Sequence, residues 1–269
     1  MVLTVLLISF VMISSVSAGW FDFINDVSSD PNNETNFVVG YFVEFPPFEY
    51  TDDNGEVTGF DLDLAQEVCD RNNWTLVKQQ IIDWDTKEVE LDSGAIDCIW
   101  SGFTMNERED DYAWTDPYYN NSQVFVVKKD SGISSFEDLK GKSIDVQMGS
   151  SALDSLEKNK TLKDSFQTIN EIKEYDTAFM DLESETCDAV LGDREVMRYN
   201  INTKFNPDEY EVLEPALSFE QYGVGFSENN TELRDQVQKT LNEMYEDGTI
   251  DKIAQKYKDY GVPEGIIYP

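Results

Sequence analysis

From residue 36 onward, short apolar runs alternate with segments of helical periodicity, and this alternation constrains the fold more than any single residue does. "FVVGYF" (37–42) reads as a strand; "FPPFEY" (45–50) after it can continue neither a helix nor a central strand, because proline lacks the N–H donor. "DNGE" (53–56) is a turn, and Asp61 is expected to cap a helix with Leu62, Ala65, Val68 and Cys69 on its apolar face. "TLVKQQII" (75–82) is the next strand, "KEVELDSG" (87–94) a short helix stopped by Gly94, and "AIDCIW" (95–100) a third strand. This β-α-β-α-β order points to a parallel sheet in an α/β lobe.

After "WTDPYYNNSQ" (114–123) the pattern restarts. "VFVVKK" (124–129) and "SIDVQM" (143–148) read as strands around a helix "SSFEDLKG" (134–141), and "DAVLG" (188–192) as a short buried strand. The tail holds two amphipathic helices, one with Leu233, Val237 and Leu241 in a stripe, the other with Ile250, Ile253, Ala254 and Tyr257. Stripes at that spacing are core.

Composition removes whole classes of function. Acids number 54 against 20 Lys plus Arg, a net charge of −34, so neither nucleic acid nor an anionic lipid surface is expected as a partner. With no histidine, Ser-His and Cys-His catalysis and most metal sites fall away, and no metal or cofactor is expected. Cys69, Cys98 and Cys187 have no CxxC spacing and are expected as buried free thiols, a Cys69–Cys98 bridge being the alternative. Residues 1–18 form an apolar run ending Val16-Ser17-Ala18, which reads as a signal peptide or an N-terminal membrane anchor; 19–35 read as a polar linker.

The unusual residues fall just past the carboxyl ends of the expected strands, where ligands bind in open α/β sheets. Phe42 ends the first strand and Phe45 follows it, Trp84 follows the second, and Ser101, Gly102 and Thr104 the third; Ser150-Ser151 and Asp193 follow two strands of the second half. "MGSSALDSL" runs from strand through glycine into helix, so Ser150 and Ser151 offer free backbone N–H groups to an anion, or serve as a plain N-cap. Arg108 is a fork donor for a carboxylate, or a surface partner of the acids in "EREDD". Asp193 faces an ammonium, or caps the helix "REVMRY". Together they bracket a zwitterion, with Phe45 and Trp84 sandwiching its carbon skeleton. The acids Asp61 and Asp63 read as cap and solvated face, and no catalytic dyad is evident.

The segments "FPPFEY", "NGEVTGFDLDLAQEV", "IDWDTKEVELDSGAIDCIWSGFTMNER", "DLKGKSIDVQMGSS", "DAVLGD", "QYGVGF" and "DGTIDKIAQKY", in this order across residues 36–262, resemble amino-acid-type extracellular solute-binding proteins of ABC importers. The resemblance implies a two-lobed periplasmic-binding-protein type II fold, each lobe a mainly parallel sheet flanked by helices. The lobes would comprise 36–120 with 221–263 and 121–220, the chain crossing near Tyr119–Gln123 and Ser218–Tyr222, and 264–269 would be a C-terminal tail. It implies a monomer, extracytoplasmic, secreted or tethered to the outer face of the membrane, that delivers an amino acid to a membrane permease.

By position, Arg108 would clamp the α-carboxylate with Ser150 and Ser151, and Asp193 would take the α-amino group. Ser101, Gly102 and Thr104 would hold the ligand's ends. Two departures stand out. Arg108 lies four residues after Thr104, where many members have five. Phe42 stands where several members carry an acid, which favours an uncharged polar, apolar or aromatic ligand over a cationic one, with Glu44 close by. An enzyme on the same fold, like the cyclohexadienyl dehydratases, and a ligand-sensing ectodomain are the alternatives.

Overall fold

The computed structural model describes residues 35–42 and 44–269; the expected leader and nearly all of the linker lie outside the described residues. The first part of the chain contains β1 (Thr35–Tyr41), β2 (Tyr50–Thr51), β3 (Val57–Thr58), α1 (Phe60–Asn72), β4 (Trp74–Gln80), α2 (Lys87–Asp92), β5 (Cys98–Ile99) and β6 (Ala113–Trp114). The middle contains β7 (Tyr119–Lys128), β8 (Ser143–Gln147), α3 (Ser151–Lys158), α4 (Lys160–Lys163), β9 (Thr168–Ile172), α5 (Tyr175–Glu183), β10 (Ala189–Asp193), α6 (Arg194–Lys204), β11 (Tyr210–Val212) and β12 (Ser218–Tyr222). The chain closes with β13 (Gly225–Phe226), α7 (Thr231–Glu246), α8 (Thr249–Ala254) and α9 (Val262–Gly265).

Among the described residues two large sheets form, one per lobe, besides the two-stranded β2-β3 pair. The first runs β4-β1-β5-β13-β6. Its β1 and β5 are parallel in the register Val39↔Cys98, and β13 returns antiparallel to both β5 and β6. The second runs β11-β7-β10-β8-β9, with β10, β8 and β9 parallel and β7 antiparallel to its neighbours. Each parallel part is joined through helices because parallel neighbours cannot be linked by a tight hairpin.

β7 belongs to both regions. Its first half pairs antiparallel with β12, Tyr119↔Tyr222 through Gln123↔Ser218, while its second half joins β10 and β11. The rings of Tyr119 and Tyr222 stack at 5.6 Å, and both stand edge-on to Phe48. The two strands that carry the chain between the sheets thus lie side by side on an aromatic base.

The C-terminal helices pack on α1 in the first lobe. Val237, Leu241, Met244, Ile250 and Ile253 are buried, each contributing about 1.5–3 kcal/mol, whereas Leu233 is only half-buried. Asn72 donates to Thr240 at 2.9 Å, and Arg71 reaches Asp247 at 2.8 Å. In the tail, the Ile267 N–H donates to the Tyr118 carbonyl at 3.0 Å.

Two local expectations change, and one alternative falls away. "SSFEDLKG" forms a single 3-10 turn, Phe136–Leu139, instead of an α-helix. The three thiols are free and buried, so the Cys69–Cys98 alternative does not form. Asp61 is not the cap of α1. Gly59 holds that position and Asp61 sits in the first turn, fully buried, because the face it occupies packs on the end of β5. Its carboxylate accepts from the Gly102 N–H at 2.8 Å and the Tyr118 hydroxyl at 2.7 Å. Asp63, on the outer face, accepts from Lys256 and Tyr257.

Candidate functional site

The ends of β1, β5, β8 and β10, with the segment after β4, converge on one cleft between the lobes. Phe42, Phe45, Trp84, Ser101, Gly102, Thr104 and Arg108 from the first lobe, and Gln147, Ser150, Ser151 and Asp193 from the second, line a single cavity there. The space between these side chains is small and partly open to solvent. Every site position expected from the sequence lies on this wall, and Gln147 is added to them.

The apolar side of the cavity is set by close aromatic packing. Phe42 and Trp84 stand 6.3 Å apart, and Trp84 meets Phe103 edge-on at 5.7 Å. Phe45 lies flush on the backbone of Gly102: a Cβ there would come within 2.2 Å of the ring. Gly102 also has a φ of 50°, so only glycine satisfies both the left-handed turn and the close approach.

The shorter Thr104-to-Arg108 step still delivers the guanidinium to the cavity. A turn closes with the Arg108 N–H on the Met105 carbonyl at 2.9 Å, and Trp114 donates to the Arg108 carbonyl at 2.8 Å. The guanidinium lies 5.6 Å from the Phe103 ring and donates across the cleft to Asp154 of α3 at 2.9 Å. Its partner is therefore a carboxylate of the opposite lobe and not the acids beside it in sequence. Lys87 adds a second cation nearby. It is 4% exposed, its ammonium donates to the Trp84 and Gly149 carbonyls at 3.4 Å and lies 3.9 Å from Glu88, and burial followed by Arg108 lowers its pKa to about 8.

On the second lobe the two serines divide their roles. Ser150 is the N-cap of α3, accepting from the Leu153 N–H and donating to the Gln147 carbonyl at 2.7 Å. The Ser151 hydroxyl meets Thr104 at 3.2 Å across the cleft. Asp193 stands at the N-cap position of α6 but makes no capping bond. Its Oδ1 instead accepts from Asn121 at 2.6 Å, Gln123 at 2.8 Å and the Tyr222 hydroxyl at 2.6 Å. Burial, and then the nearby charge of Glu220, raise Asp193 to about 7.

Behind the wall, hydrogen bonds commit groups that sequence reasoning left free for a ligand. Ser101 donates to Glu49 at 2.9 Å and accepts from the Phe42 N–H at 3.0 Å. The Gly102 N–H is taken by Asp61, so Gly102 contributes shape and its carbonyl in place of a donor. Glu49 and Asp61 are both fully buried, and burial raises both carboxyls, Asp61 to about 6. Buried acids therefore stand in two groups at the cleft, Glu49 with Asp61, both raised, and Asp193, raised, beside Glu220. The sequence pattern hides them because three of the four lie in segments read as turn, cap or crossing strand. Gln147 and Lys87 carried a faint signal, a polar residue inside "SIDVQM" and a lysine at a helix start. Among the described residues no group of three or more Cys, Asp or Glu side chains could hold a metal ion.

Residues 37–260 match the family model of bacterial extracellular solute-binding proteins, family 3. The chain is 29% identical over 234 residues to the arginine-binding extracellular protein ArtP of Bacillus subtilis, covering 86% of this chain and 89% of that one. It is 30% identical over 248 residues to the histidine-binding periplasmic protein of Escherichia coli K12, covering 86% and 90%. A solved structure of an ABC uptake transporter substrate-binding protein from Streptococcus pneumoniae with bound histidine superposes with a TM-score of 0.78 at 31% identity, covering 89% and 96%. With the family model spanning most of the chain and the same two-lobed architecture in its neighbours, this chain belongs to the bacterial extracellular solute-binding proteins of family 3.

Proposed function

We propose that the chain captures an L-amino acid between its lobes and hands it to a membrane permease outside the cytoplasm. One observation carries the reading: Arg108 from the first lobe and Asp193 from the second line the same cavity, with Phe45 and Trp84 on its apolar side. A guanidinium matches an α-carboxylate and a buried carboxylate matches an α-ammonium. Thr104 and the Ser151 N–H complete the polar ends, and Gln147 adds a further polar group.

Closure would turn on the paired strands Tyr119–Gln123 and Ser218–Tyr222, moving 121–220 against 36–120 with 221–263. Because polar groups come from both lobes, a bound zwitterion makes contacts in the closed arrangement that the open one lacks, which is the differential affinity that drives closure.

The relatives are named for arginine and for histidine, so family membership does not specify the side chain bound. Phe42 lines the cavity where a cationic side chain would need an acid. Glu44 is not on the wall and faces Lys204 of the other lobe at 3.8 Å. Both favour an uncharged polar, apolar or aromatic ligand. The relatives are binding proteins, and the chain is read as one too, not as an enzyme.

A thermal-shift screen of the twenty common L-amino acids tests this. A ligand at 100 times its dissociation constant stabilises by about 2.7 kcal/mol. Stabilisation by one or a few uncharged amino acids, recovered unaltered after long incubation, is expected; conversion of the ligand would favour the enzyme reading.

A further inference from the structure

Glu220 is not on the wall of that cavity; with Thr104 and Ser151 it lines the adjoining groove. It sits on β12 opposite Asn121 of β7, 6% exposed, behind Thr104 and Ser151. One of its oxygens, Oε1, accepts from Asn121 at 2.7 Å, Gln123 at 2.8 Å, Thr104 at 3.1 Å and Ser151 at 3.2 Å. The same two amides donate to Oδ1 of Asp193. Two buried carboxylates thus share one pair of donors, and among the described residues neither has a Lys or Arg within salt-bridge distance.

The cluster is short of hydrogen in a second way. Asn121 is 4% exposed and Gln123 fully buried, yet the side-chain carbonyl oxygen of each lacks a hydrogen-bond partner within the protein. Acceptors gathered out of water without donors are unfavourable, and a pair of carboxylates there relieves the repulsion by taking up a proton or a cation. A primary ammonium, with three N–H donors and a positive charge, matches that shortage.

We propose that Glu220 is a positioning residue for the ammonium end of the site, tying Asp193, Thr104 and Ser151 into one hydrogen-bonded set that holds a single proton without ligand and releases it as the ligand's ammonium binds. The proposal rests on the amino-acid reading above. When the Thr104 hydroxyl donates to Glu220, its lone pairs turn to the cavity and suit an incoming N–H. The proton on the carboxylate pair leaves to solvent, because the ammonium supplies both the charge and the donors that it supplied.

The raised Asp193, at about 7, agrees with this arrangement. The other titratable and charged groups around the pair are Tyr175 from α5, Tyr222 from β12, Arg194 and Glu195 from α6, Arg108 at the cleft, and Glu107, Glu109, Asp154 and Lys158 along the groove that Glu220 lines. Burial holds both phenols far above neutrality, and Arg194 is committed to Ser122 and Glu214. Glu195 is itself raised by burial to about 7, so a Glu220 variant decides more than the wild-type slope does.

The test has two arms. In the first, protein labelled with ¹³C at the aspartate carboxyls is titrated without ligand, using Asp193→Asn for assignment. The Asp193 signal is expected to titrate near neutral pH and to fall by at least one pH unit in Glu220→Gln. An ordinary aspartate midpoint in the wild type, or an unchanged midpoint in the variant, overturns the proposal. In the second, the twenty L-amino acids are titrated calorimetrically in phosphate and imidazole buffers at pH 6. Close to one proton released per amino acid bound is expected in the wild type, and none in Glu220→Gln. No release in the wild type overturns it. If none of the twenty binds the wild type, the amino-acid reading fails while the carboxyl titration still decides the pair; if only the variant fails to bind, that titration likewise decides.

Discussion

The guanidinium of Arg108 and the carboxylate of Asp154 meet at 2.9 Å across the cleft, joining the first lobe to α3 of the second. Asp154 is half exposed and Arg108 is mostly buried, so the two ends of this bridge differ in consequence. Because the carboxylate end stays half in water, the pair itself contributes little, about 1 kcal/mol or less. Asp154→Asn is therefore expected to change amino-acid affinity by roughly fivefold or less, measured by calorimetry. A loss near that expected for Arg108→Ala would mean that Asp154, not the ligand, is the main partner of the guanidinium.

Phe42 sets the far end of the proposed pocket. Phe42→Asp places a carboxylate beside Trp84, where its burial is unfavourable unless a cation joins it. The variant should bind arginine or lysine at least tenfold better relative to the wild-type ligand. An unchanged ranking across the twenty amino acids would show that the ligand side chain does not reach this position.

The buried Glu49/Asp61 pair links stability to pH. Asp61 is raised by burial to about 6 and Glu49 is raised as well, so the folded state keeps protons that the unfolded chain, with carboxyls near 4, gives up. Folded-state protonation exceeds that of the unfolded chain from about pH 4 upward, through about 6 for Asp61 and higher for Glu49, so this pair's contribution falls as pH rises through that range. Glu49→Gln leaves one ionisable group there. Relative to wild type it should gain on the order of 1–2 kcal/mol between pH 4.5 and 7, read by denaturant unfolding. A difference independent of pH would contradict the coupling.

The positions of Phe45, Trp84, Thr104 and Asp193 were legible because each directly follows an apolar strand, and in this architecture strand ends share one cleft. The hydrogen bonds of those residues were not. Asp61 looks like a helix cap because an acid in a first turn is favoured there, and only the packing of α1 on β5 turns it inward. Glu220 sits in a crossing strand whose alternation says which face it occupies but not that Asn121 and Gln123 lie opposite. Likewise Lys87 stands in a helix start that reads as exposed, and is buried because Trp84 and Gly149 close over it. Long-range partners such as Thr104 and Glu220, 116 residues apart, leave no local trace.

The three thiols are expected to be inert in the native protein. Burial raises Cys69 to about 12 and pushes Cys98 and Cys187 well above the ordinary thiol range, so little thiolate is present near neutrality. A disulfide-exchange reagent at pH 8 should find none of them in folded protein and all three after denaturation. Rapid reaction of one thiol without unfolding would contradict their burial.

The central claim is that one zwitterion is held between Arg108 and Asp193. Calorimetric titration of wild type, Arg108→Ala and Asp193→Ala with the amino acid selected by thermal shift tests it most directly. Removing one partner of a buried charge pair costs about 3–5 kcal/mol, or roughly 10²- to 10³-fold in affinity. The expected result is one ligand per chain in the wild type and a loss of at least about 10²-fold in each variant; unchanged affinity in both variants would contradict it.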